Sequence, residues 1–582
     1  MKNLFTLRKY FLRYKKKLAW GVLFIILSDI GAVYIPLLLK DAINSFNGTV
    51  TVQQLFRYGT LIVVTAFFSG VFRYFIRQTI IVVSREIEYD LRHDFWSHIQ
   101  RLPLRYFQNN ATGNIMAHAT NDINAVRMFI GPAVMYSVDT GITLVMVIAL
   151  MISLNFSLTV YSLLPLPFLS YLVYKIGKKI HERFTKIQEK FADLTTKAQE
   201  NFSGIRVIKS YVREINEIQS FNKMSRDYLD RNMKMVKVQA LLMPILFSIT
   251  GISLVVVMLV GGDKIISHTM NLGQLVAFTF YLGILIWPMI AFGWVVNIVQ
   301  QGEASMKRLN KIFHEPYEIM DTEETDENIT GLDGDIEFRN VSFKYGEHHP
   351  YVLKDINLKI PKGSNIAIMG YTGTGKTTFI NLIPRLYDVT EGEILIDGRN
   401  VKKIPLDVLR KNIGYVQQEP FLFSDTLYNN ISYGLQDINP ERVEQAARTA
   451  NFDKDVQSFP NGYETISGER GITLSGGQKQ RATLARALVI DPKILILDDS
   501  FSSVDTNTEE EILKNLKDFM KGRTSIIISH RISTVKDADK IIVLSGGKIV
   551  EQGTHEELIA IEGIYADLHY KQLLEKELEE LK

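Results

Sequence analysis

A chain of 582 residues is too long for one hydrophobic core, so several domains are expected. A formal charge of +3 gives no electrostatic case for a nucleic-acid partner, and the absence of cysteine excludes disulfides, thiolate metal sites and a cysteine-protease domain. The 46% apolar content is ordinary in the mean but unevenly placed: residues 1–310 carry long uncharged runs, whereas 335–582 reads as a soluble α/β domain.

At the start, Leu4, Leu7, Phe11 and Tyr14 recur at helical spacing among basic residues, which predicts a helix lying along the inner membrane surface. A basic start with no small-residue cleavage site after a short apolar core speaks against a cleavable signal. Six segments follow, 18–39, 56–78, 129–154, 158–176, 240–265 and 272–299, each apolar and near the ~20 residues that a helix needs to cross a ~30 Å hydrocarbon layer. Lys and Arg gather before the first span, between the second and third (Arg85, Arg92, Arg101, Arg105) and between the fourth and fifth (Lys178, Lys179, Arg183, Arg206), which makes those sides cytoplasmic. The short connections at 44–51, 155–157 and 261–271 then face outward.

The two cytoplasmic connections keep helical character on either side of breaks at 103–113 and 201–204. About 25 helical residues extend nearly 40 Å, so each reads as a projecting hairpin whose tip docks on the soluble domain. Within the spans, Asp29 and Asp139 are costly enough to suggest a role, either lining a substrate cavity or as a paired structural carboxylate. Met135, Met146, Met243, Met258 and Met289 are read as packing, with an adaptable ligand surface as the alternative.

After the sixth span, 313–334 loses its apolar period and gathers acidic residues, which predicts a solvated linker between a membrane domain (1–312) and a soluble domain (335–582). The soluble domain opens with β-patterned sequence at 335–345 and ends in a charged helical tail at 565–582. Between them, an apolar strand at 364–369 runs into Gly370, Tyr371, Thr372, Gly373, Thr374, Gly375, Lys376, Thr377 and Thr378, with a helix predicted to follow. That is a phosphate-binding loop: glycine permits close backbone approach, Lys376 reaches the β/γ-phosphates, and the Thr377 hydroxyl is a ligand for Mg²⁺. A second magnesium element is Asp498, delivered by four aliphatics at 494–497 that fit a parallel strand buried on both faces. Asp499 then sits where a carboxylate orients attacking water.

With Leu474, Ser475, Gly476, Gly477 and Gln478 added, the chain resembles the ATP-binding cassette (ABC) exporter family along essentially its whole length, as one half-transporter. The resemblance implies a polytopic α-helical membrane domain of six transmembrane helices, in the type I (type IV) exporter fold, followed by an α/β P-loop nucleotide-binding domain. It implies ATP and Mg²⁺ as cofactors and a second half-transporter as partner. The cargo would be a small amphipathic compound or a lipid, and the location a prokaryotic plasma membrane, with no nucleic acid involved.

By the family's motifs, Tyr345 matches the aromatic that stacks on adenine, Gln418 the glutamine that senses Mg²⁺, and Ser475 to Gln478 the signature that closes over the partner's ATP. Ser502 to Asp505 match the loop that communicates across the dimer, His530 the switch histidine, and Glu469-Arg470-Gly471 the exporter loop beside the coupling helices.

One departure refines the reading: the family commonly has glutamate where this chain has Asp499. Losing a methylene retracts the carboxylate by about 1.5 Å, and this, with residues 84–92 and Trp287-Pro288-Met289, resembles the MdlA-like branch of heterodimeric bacterial multidrug transporters. A slow ATP site and a different partner chain are the expectation, a homodimer with a working Asp499 the alternative. Among functions, a homodimeric lipid flippase is the nearest rival to multidrug export. A non-transport ATPase is opposed by the six spans.

Overall fold

The computed structural model describes residues 2–46, 51–437 and 439–580. The chain forms two compact units, one of residues 1–99 and 112–315, the other of 100–111 and 316–582. Part of the expected outer connection at 44–51 lies outside the described residues, as do the last two residues of the tail.

The chain runs through α1 (Lys15–Ser45), α2 (Val52–Ile76), α3 (Val82–Ile99), the short α4 (Leu104–Asn109), α5 (Val134–Leu154), α6 (Pro165–Ser203), α7 (Glu214–Gln239), α8 (Leu242–Ile266) and α9 (Leu272–Phe313). All but α4 belong to the first unit. Among the described residues, five helical stretches are long and apolar enough to cross a membrane: Lys15–Ser45, Val52–Ile99, Thr112–Leu154, Glu214–Ile266 and Leu272–Phe313. The fourth expected span, 158–176, runs over a helix at Phe156–Leu163 and the first turns of α6, where the side chains at 166, 167, 169, 170 and 173 lie outside the described residues. Pro165 opens α6 at a position where its missing N–H costs nothing.

α1 and α9 meet in the core of this unit, where the buried Tyr281 hydroxyl donates to the Val33 carbonyl at 3.0 Å. Asp29 on α1 and Asp139 on α5 are neighbours, with Thr143 and Arg73 beside the pair, and Asp29 Oδ2 is buried without a hydrogen-bond partner. Met135, Met146 and Met289 pack against apolar clusters, whereas Met243 and Met258 are exposed.

The N-terminal segment is a 3-10 turn over Lys2–Leu7 and a helix over Arg8–Arg13, with Leu7 and Tyr10 buried and Phe5 and Leu12 exposed. Its charges form a ladder along α3: Lys9 to Asp94 at 2.8 Å, Arg13 to Asp90 at 2.9 Å and Lys17 to Glu86 at 2.6 Å. The expected hairpin breaks are present. One falls between α3 and α4, and the other at Gly204, followed by a one-turn helix over Ile205–Ser210.

The second unit is a cassette of two sheets. β1 (Ile336–Phe343), β2 (Leu353–Ile360), β4 (Glu391–Ile396) and β5 (Arg399–Asn400) form an antiparallel sheet in the order β2-β1-β4-β5. The other joins β3 (Asn365–Met369), β6 (Ile413–Val416), β7 (Ile494–Asp498), β8 (Thr524–Ile528), β9 (Lys540–Ser545) and β10 (Lys548–Gly553) in the order β10-β9-β3-β8-β7-β6. It is parallel except for β10. Every residue of β7 is buried, as its aliphatic run predicts. Two large apolar clusters flank the sheets: one holds the residues behind the phosphate loop, the other the helices after β6.

The expected solvated linker departs from expectation. Ile329 and Leu332 are buried in the cassette core, the Leu406 N–H donates to Asp321, and the Asp326 N–H donates to the Lys403 carbonyl. The acidic residues are mostly exposed, but two apolar side chains are enough to fix the segment to the domain. α4 also packs within this unit: Arg105 pairs with Glu318, and Gln108 lies beside Tyr387.

Candidate nucleotide site

β3 ends at Met369, and the chain turns through Gly370 (φ 144°), Gly373 (φ 81°) and Gly375 (φ 97°) into α10 (Lys376–Asn381). A Cβ at Gly370 would collide with the Leu544 carbonyl, whereas one at Gly373 would meet nothing within 4 Å. The first glycine is therefore required by packing, and the second by its backbone conformation on an open side. Tyr371, Thr372, Gly373 and Thr377 are exposed, so the loop's outer face is free to receive a ligand.

Lys376 is buried, and its Nζ donates to the carbonyls of Gly370 and Tyr371, both at 2.9 Å. Burial lowers its pKa from the ordinary lysine value, against the opposing pull of Asp498 and Asp499. Thr374 Oγ1 donates to the Tyr371 carbonyl at 2.9 Å, and the hydroxyls of Tyr345 and Thr378 are 2.8 Å apart. Edge contacts with Phe343 and Tyr387 further hold the half-buried Tyr345 ring.

Asp498 closes β7 beside the loop, next to the Thr377 side chain. It is 2% exposed, and burial pushes its carboxyl up to about 6, with Asp499 adding to the rise and Thr377 and Lys376 opposing it. Its Oδ2 has no hydrogen-bond partner. An orphaned buried carboxylate oxygen next to a threonine hydroxyl, beside a glycine loop whose outer face is exposed, fits a polyphosphate with a hard divalent cation. No group of three or more His, Cys, Asp or Glu able to hold a metal occurs among the described residues.

Asp499 follows in the left-handed region at φ 45°, its N–H donating to the Ile528 carbonyl at 2.9 Å. Aspartate tolerates this conformation better than most residues, because its short polar side chain bonds locally. His530 lies two residues past the end of β8, which pairs in parallel with β7. Its ring is exposed, and partial burial together with the Lys376 ammonium hold it below the usual imidazole range, with Asp499 opposing. Gln418 is exposed two residues beyond β6, whose last residue Val416 is in register with Leu497. Lys376, Thr377, Asp498, Asp499 and His530 thus converge, and Gln418 stands at the end of the next strand but one from β8.

The signature residues are placed elsewhere. Ser475 is the N-cap of α11 (Gly476–Leu488) in a capping box with Gln478. Ser475 and Gly476 are exposed at the positive end of that helix, which packs in the second apolar cluster. No hydrogen bond or ion pair among the described residues joins Ser475, Gly476, Gly477 or Gln478 to the phosphate loop. Gln478 also donates to Asp455 at 3.0 Å, so its side chain is committed within the subunit.

Several residues beside the motif positions, Asp455, Glu509 and Thr534 outside any motif, support this arrangement. Gln480, 2% exposed, donates to Ser502 Oγ and accepts from the Ser503 N–H, both at 3.0 Å, tying α11 to the loop before α12 (Thr506–Met520). Asp455 pairs with Arg481 at 2.7 Å. Buried Glu509 on α12 takes the Arg531 guanidinium and, at 2.5 Å, the Thr534 hydroxyl. Only a buried polar side chain marks these positions, and burial is invisible in a single sequence.

Residues 18–289 match the ABC transporter transmembrane region and residues 353–502 the ABC transporter cassette. A probable multidrug resistance ABC transporter ATP-binding/permease protein, YheI of Bacillus subtilis, is 38% identical over 97% of this chain and 96% of its own length. The chain belongs to the ABC transporter family. Another relative, the multidrug resistance-like ATP-binding protein MdlA of Buchnera aphidicola, is 34% identical over 98% of this chain and 99% of its own. A solved structure of a bacterial Atm1-family ABC exporter with ATP bound is similar at a TM-score of 0.78 and 27% identity, covering 96% of this chain and 99% of that one. This ABC exporter half binds and hydrolyses ATP in order to drive transport, and it is a multi-pass protein of the inner membrane. Like other ABC exporters, it works as a dimer with a second half.

Proposed function

We propose that this half-transporter exports amphipathic or hydrophobic compounds, as the multidrug names of its relatives suggest, and that it pairs with a different half whose ATP site is the faster one. The observation that carries the second point is Asp499, a shortened carboxylate on a left-handed backbone at the place where water must be oriented. A ~1 Å misplacement of such a group costs on the order of a hundredfold in rate.

On this reading 1–312 is the membrane domain, 313–334 a connecting segment and 335–582 the cassette. The loop from Gly370 to Thr378 cradles the phosphates, with Lys376 countering their charge and Tyr345 under the adenine. Thr377, Asp498 and Gln418 would hold Mg²⁺, which would offset phosphate charge; Asp499 would accept a hydrogen bond from water, and His530 would hydrogen-bond the γ-phosphate. ATP supplies the phosphoanhydride whose hydrolysis is the energy source. Ser475 and Gly476 present their free helix end to the partner's nucleotide, because they do not meet their own phosphate loop. Differential stabilisation of the closed pair shifts the population of the membrane helices.

The test is ATP turnover of this chain purified alone and with a co-expressed second half, in vesicles loaded with a fluorescent amphiphile. Slow turnover alone, raised about tenfold or more by Asp499→Glu, and dye movement only with the second half are expected. Brisk hydrolysis alone that Asp499→Asn abolishes would establish the homodimer instead, and movement of labelled phospholipid without any dye would favour a flippase.

A further inference from the structure

His530 has an exposed ring, so its position is set by its backbone. That backbone leads into α13 (Ile532–Val535), a single turn whose N-cap residue Arg531 gives no side-chain cap. The first N–H groups of a helix need partners from elsewhere. Here one comes from α14 (Ile564–Glu580): the Ile532 N–H donates to Gln572 Oε1 at 2.9 Å, and Gln572 Nε2 donates in return to the His530 carbonyl. One side-chain amide thus spans the residue on either side of Arg531. The Arg531 guanidinium runs to Glu509 and the Val504 carbonyl, which pins the loop by a second route.

One turn earlier on α14, Asp567 accepts from the Tyr371 hydroxyl at 2.9 Å and from Lys571 at 2.7 Å, with the Lys571 ammonium 5.9 Å from the Tyr371 ring centre. The start of α14 is fixed in turn: Tyr565 is fully buried, and the Ile564 and Tyr565 N–H groups donate to the Glu551 carboxylate at 2.6 and 3.0 Å. A single anchored helix therefore holds both the phosphate loop, through Tyr371, and the switch loop, through Gln572.

We propose that Gln572 is a positioning residue for His530, and that α14 is a strap keeping the switch loop and the phosphate loop in register. The inference rests on the role given to His530 above. Ion pairs as exposed as Asp567 with Lys571 contribute little on their own. The reciprocal amide bond at Gln572 is the part that fixes geometry.

The test uses this full-length half purified alone, so that the slow turnover read is that of the site holding His530; backbone hydrogen exchange is measured nucleotide-free, and then ATP turnover, in Gln572→Ala, Gln572→Glu and His530→Ala. In Gln572→Ala, amides across 529–535 should exchange at least about tenfold faster while β8 stays protected. Turnover should fall about tenfold with KM within about twofold, in the same direction as His530→Ala and no further. Gln572→Glu keeps the acceptor for the Ile532 N–H and loses the donor to His530, so it should lie between. Unchanged exchange at 529–535 would overturn the clamp. Equal acceleration in β8 would do the same, by showing general loosening. If exchange rises but turnover holds in Gln572→Ala and falls in His530→Ala, the positioning role fails. If both variants keep full turnover while the loop loosens, the clamp stands and the role of His530 is what fails.

Discussion

Asp498 is a residue at which burial and function oppose one another. Its carboxyl is raised from 3.8 to about 6, so in the nucleotide-free fold it binds a proton that the unfolded chain releases between those values. Stability therefore falls as pH rises through that window, and the cost is complete above about 6. A shift of about two units corresponds to roughly 3 kcal/mol. Asp498→Asn should be more stable than the parent by up to that order at pH 7.5 without nucleotide, with the gap closing toward pH 4, as measured by urea unfolding. The glycines of the phosphate loop make a second contrast. Gly373→Ala meets only backbone strain of about 1–2 kcal/mol, whereas Gly370→Ala also drives a methyl into the Leu544 carbonyl. Unfolding curves should show the larger loss at Gly370. Motif residues were legible in the sequence because phosphate chemistry restricts which residue types can serve. The left-handed backbone of Asp499 and the orphaned oxygen of Asp498 were not, since both follow from strand neighbours brought together by folding.

Among the elements, α11 shows how a signature helix is tied to the loop it must move with. Replacing Gln480 by Ala removes its bonds to the Ser502 hydroxyl and the Ser503 N–H, each worth about 0.5–1.5 kcal/mol. Gln480→Ala should lower the unfolding free energy by that order and raise amide exchange at 502–505, as seen by mass spectrometry of peptides. The aliphatic run of β7 announced its strand, because four consecutive buried positions suit a parallel sheet. The fourth span was legible as apolar, but not its interruption ahead of Pro165, because hydropathy averages over a proline. The 313–334 segment was misjudged for the opposite reason: acidic composition dominated, yet Ile329 and Leu332 alone reach the core. The N-terminal helix was legible as amphipathic, but its three-rung charge ladder to α3 depends on a neighbour about 80 residues away in the chain.

For the whole molecule, the separation of Ser475 from its own phosphate loop gives a direct prediction. The chain has no cysteine, so Thr372→Cys with Ser475→Cys introduces the only two thiols. Oxidation in the presence of ATP should give no link within the chain, and a band at about twice 66.4 kDa only if like halves pair. A partner half carrying the matching cysteine should restore the band if the pair is mixed. The two-part division of the chain was legible from the uneven placement of apolar residues. The allocation of 100–111 to the cassette follows the expected docking of the hairpin tip, but its partner was not legible, because the pairing of Arg105 with Glu318 spans more than 200 residues.

That allocation has a practical corollary for anyone dissecting the protein. Scission near residue 315 frees a carboxy-terminal fragment that lacks one of its own pieces, since the dodecamer 100–111 stays behind on the other fragment. The fragment would present a vacant berth around Glu318 and Tyr387, which a synthetic peptide of that sequence should fill.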